Sequence, residues 1–106
     1  MLDAIDGARE AIRGLSLDDY RGRRVIRRAV ERELEIVSEA SRHVPEPLRA
    51  REPDVPWREI AGIGNVLRHN YQHVADDIVW NVVEVHLGPL REAVLRLLKR
   101  LDSGTS

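Results

Sequence analysis

Apolar residues recur at three- and four-residue spacing along nearly the whole chain, and no stretch alternates with period two, so the expected elements are helices. Leu2, Ile5, Ala8, Ile12 and Leu15 form a first stripe, which Gly14 ends. Ser16 with Asp19 three residues on matches a capping box with Asp in place of Glu, so a new turn starts there. Ile26, Val30, Leu34, Val37, Ala40 and Val44 then mark a long helix over about 21–43, stopped by Pro45 and Pro47. Residues 45–56 hold four of the five prolines and read as a loop with a single turn at 48–51. Pro56 falls at the first position of the next helix, whose inner face is Trp57, Ile60, Ile63, Leu67, Tyr71 and Val74. Asp76 and Asp77 suit the positive end of a fourth helix, continued by Ile78, Val79, Val82, Val83 and Leu87. Gly88-Pro89 breaks it and starts a fifth, with Leu90, Ala93, Val94, Leu97, Leu98 and Leu101 inward. The expected fold is an all-α bundle of four to five helices, one domain over 1–102 with a tail at 103–106.

At 106 residues the chain has room for one such domain. A net charge of −1 excludes a bulk polycation that coats nucleic acid, and the lack of cysteine excludes disulfides, a thiolate nucleophile and Cys-based metal sites. No apolar run approaches the roughly 20 residues of a membrane span, and the first fifteen positions carry Asp, Arg and Glu instead of a signal-peptide core. The expected location is the cytoplasm, away from membranes. With only two Trp and two Tyr the core is modest, yet Ile78-Val79-Trp80 and Val82-Val83 widen the apolar face beyond one stripe. Surplus of that kind is often covered by a second copy, so a homodimer is expected.

Candidate chemistry concentrates in 62–73. Gly62 and Gly64 inside a helix cost about 1 kcal/mol each relative to Ala, which close approach of another helix or a ligand would offset. Asn65 and His69 lie four apart on one face, where the amide can orient the imidazole. His69 and His73 share that spacing, which suits metal ligands, but no Glu lies between them and no third ligand follows; no metal is expected. The Arg run at positions 21, 23, 24, 27, 28 and 32 offers RNA phosphates a basic edge, with Arg24 and Arg28 the candidates. Glu31, Glu33 and Glu35 lie close by, so for most of the run the favoured reading is ion pairing along a solvated helix. Trp57 and Trp80 read as core or interface anchors.

The segment from Trp57 to Tyr71 resembles the signature helix of the HepT-like branch of the HEPN superfamily: Pro-Trp, a few residues, Gly-hydrophobic-Arg-Asn, three residues, then His-x-Tyr. The resemblance continues upstream through Leu34 to Ala40 and Val55-Pro56-Trp57, and downstream through Asp77 to Trp80 and Leu87 to Leu90. It implies a dimeric, metal-independent ribonuclease that needs no cofactor and serves as the toxin beside a minimal nucleotidyltransferase antitoxin. By the same resemblance His69 is the catalytic His and Asn65 the polar residue after the motif Arg. Tyr71 is then the residue to which the antitoxin transfers AMP.

The motif Arg itself is Gly64 here. An uncompensated phosphate loses its main electrostatic partner, which leaves two readings open. In one, Arg68 replaces it: positions 64 and 68 lie about 40° and one turn apart, and helical side chains lean toward the N-terminus. In the other, the chain is an inactive nucleotide- or partner-binding module. Positions 64 and 69 are about 140° apart, so a His and an Arg converge only if two such helices line a shared groove across a two-fold axis.

Overall fold

The computed structural model describes residues 1–102, and the expected tail at 103–106 lies outside the described residues. Those residues are helical with no strand. The elements are α1 (Leu2–Ala11), α2 (Leu17–Arg21), α3 (Arg24–Arg42), α4 (Glu46–Arg49), α5 (Trp57–Ala61), α6 (Ile63–His69), α7 (Gln72–Asn81), a π-helical turn (Val82–His86) and α8 (Leu87–Asp102). Among the described residues no helix is long and apolar enough to cross a membrane.

Local chemistry explains the first third. Gly14 has φ of 78°, a left-handed conformation that turns the chain out of α1. Ser16 Oγ then accepts the Asp19 N–H at 3.1 Å, and the Asp19 carboxylate accepts the Ser16 N–H at 3.0 Å; this reciprocal cap opens the short α2. The core forms where α3 meets α1, α5 and α6, with Val30, Leu34 and Val37 buried against Ile5, Ala8, Ile60 and Ile63. Leu87, Leu90 and Ala93 of α8 complete it. Surface pairs tie α8 down: Arg91 holds the Asp6 carboxyl below its ordinary range, and Arg96 does the same to Glu52 of the proline-rich loop.

Several expectations fail in the second half. Gly88-Pro89 does not break the chain; the helix runs on from α7 into α8. In a regular α-helix the Pro89 ring would meet the Val85 carbonyl and leave it without a donor. The widened turn just before it, in which the Leu87 N–H reaches back to the Val82 carbonyl, lets the helix pass the proline. Pro56 is the N-cap of α5, not its first residue, and the single loop turn lies at Glu46–Arg49. Asp76 and Asp77 do not open a helix: α7 starts at Gln72, and Asp76 is buried within it. Of the surplus apolar residues, Val79, Val82 and Val83 are buried within the single chain and Ile78 and Trp80 are partly buried against its core; outside that set, Val74 and Val85 are 42% and 53% exposed.

Tyr20, fully buried, leans on Trp80 with ring centroids 5.6 Å apart, so Trp80 anchors the core. Its hydroxyl has no hydrogen-bond partner. Burial first, then the nearby Asp76 and Glu31 charges, push the phenol pKa above its ordinary value. A buried unsatisfied hydroxyl costs about 1–3 kcal/mol. Tyr20→Phe should therefore hold or raise the melting temperature in a calorimetric scan; a fall of several degrees would show that the hydroxyl is bonded in solution.

Candidate functional site

The helix expected to carry the whole motif is divided twice. The first break is at Gly62. In an unbroken helix the Ala61 carbonyl would accept the Asn65 N–H, but Asn65 donates to Gly62 instead, at 3.1 Å. The Ala61 carbonyl is taken by three donors from α3: Ser38 Oγ at 2.8 Å, Arg42 Nη2 at 2.8 Å and Arg42 Nε at 3.1 Å. Ser38 is buried, as is Ser41 beside it, on the face of α3 that also buries Val30, Leu34 and Val37.

The second break follows His69. Asn70 closes α6 by donating both its backbone N–H, at 3.2 Å, and its side-chain Nδ2, at 3.0 Å, to the Val66 carbonyl. Asn70 and Tyr71 are extended, with ψ of 152° and 149°. Tyr71 is therefore not on the buried stripe of a helix: it stands 88% exposed on a two-residue link, a correction of the expected inner face. Val74 is likewise largely outside. The same break separates His69 from His73, so the four-residue spacing no longer places both imidazoles on one helix face. Among the described residues no group of three His, Asp or Glu is placed to hold a metal.

Gly64 is buried, and Arg68 folds back over it. A Cβ placed on Gly64 would lie 3.4 Å from Arg68 Nη1 and 4.0 Å from Nη2, so the guanidinium occupies space that a side chain at position 64 would use. Arg68 and His69 are both exposed in the last turn of α6, and Asn65 is exposed one turn before His69. Among the described residues no hydrogen bond joins Asn65 to His69. A cation, an imidazole and a phenol hydroxyl are thus displayed within four consecutive residues, 68–71.

The Arg run divides as its Glu neighbours suggest. Arg28 pairs with Glu31 at 3.1 Å and Arg32 with Glu35 at 3.7 Å, while Arg24, exposed at the start of α3, has no ion-pair partner among the described residues. Arg21 pairs with Asp77 of α7. Arg27 turns inward, its Nη1 3.6 Å from Asp76 Oδ2. Sequence reasoning missed Gln72, whose Nε2 donates to Asp76 at 2.6 Å and to Glu31 at 3.1 Å. Its place directly after the His-x-Tyr element was the available signal. A largely apolar groove runs between α6, α7 and the π-helical turn, lined by Ile63, Val66, Ile78 and Val82 together with Asp77 and His86.

Residues 1–97 match the family described as ribonuclease HepT-like. A protein of Caldanaerobacter subterraneus subsp. tengcongensis, provisionally named an RNase, is 34% identical over 91 residues, 86% of this chain and 81% of that one. A Methanocaldococcus jannaschii protein with the same provisional name is 30% identical over 97 residues, 89% of each chain. A Thermococcus cleftensis protein named "Probable ribonuclease HepT" is 31% identical over 97 residues, covering 92% of this chain and 88% of its own. No solved structure matches.

Proposed function

Because the chain belongs to the ribonuclease HepT-like family, we propose that it is the toxin of a toxin–antitoxin pair, a metal-independent RNA endonuclease acting as a homodimer in the cytoplasm. The observation that carries this reading is the Arg68 guanidinium lying over Gly64, one residue before an exposed His69 and three before an exposed Tyr71. In the reaction His69 takes the proton of a ribose 2′-hydroxyl, and O2′ attacks the adjacent phosphorus. Arg68 neutralises the charge that builds on the phosphoryl oxygens. The P–O5′ bond breaks, and an imidazolium returns a proton to O5′. The products are a 2′,3′-cyclic phosphate and a 5′-hydroxyl, and no oxidant or metal enters the balance. Asn65 orients the substrate or the imidazole, and Arg24 and Arg28 contact flanking phosphates.

The groove beside α6, with Val74 and Val85 exposed on the same stretch of helix, supports a two-fold contact that sets the two His69-bearing turns across one cleft. AMP transfer to the exposed Tyr71 hydroxyl by a minimal nucleotidyltransferase would add bulk and negative charge two residues from His69, repelling an RNA phosphate. The domain responsible is 1–102.

A second reading rests on the missing side chain at position 64: an inactive module that keeps the fold and the antitoxin contact. Incubating the purified chain with RNA in the presence of a chelator separates the two. Cyclic phosphate ends support the nuclease, and intact RNA at enzyme concentrations above the substrate favours the inactive module.

A further inference from the structure

Both residues of the link that carries Tyr71 are exposed, yet it is held at both ends. Asn70 fastens its start to the Val66 carbonyl. Gln72 fastens its end: its amide bridges Glu31 on α3 to Asp76 one turn into α7. Asp76 is 3% exposed, unusual burial for a carboxylate, and it lies in the middle of α7. Its second oxygen faces Arg27 of α3, and the next residue, Asp77, pairs with Arg21 of α2. Glu31, besides receiving Gln72, pairs with Arg28. A buried charge that has both an ion-pair partner and a hydrogen-bond donor is costly to disturb, so it fixes its neighbours firmly.

We infer that Asp76, acting through Gln72, is a positioning residue that sets the Asn70–Tyr71 link and hence the orientation of His69 and Tyr71. The inference rests on the proposed nuclease reading only for its kinetic consequence; its structural content stands apart. The two oxygens of Asp76 have separable tasks. Oδ1 accepts from Gln72 and governs the link, whereas the charge answers Arg27 and governs stability. Asp76→Asn keeps an acceptor for Gln72 and loses the charge. Asp76→Ala loses both.

The experiment compares the full chain with these two variants by NMR of the His69 and Tyr71 rings, by melting temperature and by RNA cleavage. Both variants should melt below wild type. Only Asp76→Ala should shift or broaden the His69 and Tyr71 ring signals, and only it should lower kcat, by about 10- to 100-fold with KM within about twofold, as misplacement of a reacting group does. Rescue of the ring signals by Asn despite its lost stability is the result a merely structural role would not give. Should Asp76→Ala not fold, Gln72→Met on the exposed first turn carries the same test and should move the same two rings. Ring signals unchanged in Asp76→Ala or Gln72→Met overturn the inference. If wild type cleaves no RNA the nuclease reading fails, and the ring signals alone then decide the positioning role.

Discussion

RNA cleavage by His69→Ala should fall about 10²–10⁴-fold, the range lost when a general acid–base group is removed. The fold should be nearly indifferent to the same change. His69 is exposed in the last turn of α6 and its side chain makes no hydrogen bond among the described residues, and surface substitutions of that kind stay within about 0.5 kcal/mol. A rate collapse with an unmoved melting temperature therefore separates chemistry from folding. His73→Ala serves as the control: it removes another exposed imidazole only four residues away, now on a different helix. It should leave the rate unaltered. In cells, expression of the wild-type chain alone should arrest growth, and His69→Ala should relieve the arrest. Equal loss of cleavage in His69→Ala and His73→Ala would point to general basic character of the segment, and undiminished cleavage in His69→Ala would remove its assigned role.

What could be read in the sequence was local. The Gly14 stop, the Ser16–Asp19 cap and the Val30, Leu34 and Val37 centre of α3's inner face are each decided by residues within a turn or two of one another, and each is where it was expected; Val44 lies beyond the helix, and Ser38 and Ser41 were not foreseen on the buried face. The all-helical class follows from the same periodicity. The failures are non-local. Ser38 and Arg42 draw the Ala61 carbonyl out of its helix from positions 23 and 19 residues away in the chain, and nothing near Gly62 announces their arrival. Asp76 has the look of a helix-opening acid until Arg27 is brought across from α3 to meet it. Pro89 is a reliable breaker only if the preceding turn stays α-helical, and a π-helical turn removes that condition. At the candidate site the periodicity carried Tyr71 onto a buried stripe, because apolar spacing alone cannot see Asn70 closing the helix one residue earlier. The resemblance to a family motif is what singled out His69 and Tyr71 as candidates, whereas the space over Gly64 came from helix geometry.

Arg68→Ala should lower the cleavage rate about 10²–10³-fold, the usual loss when one contact to developing transition-state charge is removed. That result alone would also follow if Arg68 merely bound RNA at the surface. The stronger prediction is a relocation. Gly64→Arg in the wild-type background should not raise activity, because the first carbon at position 64 already lies in van der Waals contact with the Arg68 guanidinium, at 3.4 Å, and a second guanidinium extending beyond it would have to displace the first. Two cations would then compete for one volume, at a cost in both packing and repulsion. In the Arg68→Ala background that volume is free. Gly64→Arg should there restore most of the lost rate, while Gly64→Lys, with a point charge in place of the planar fork, should restore less. Binding of uncleaved RNA should change little across the series, so the effect should appear in kcat and not in KM. Recovery in the double variant means that one cation over position 64 is what the reaction needs, whichever residue supplies it. A double variant as slow as Arg68→Ala would instead mean that Arg68 contributes through some other contact, and the reading built on the space over Gly64 would be wrong.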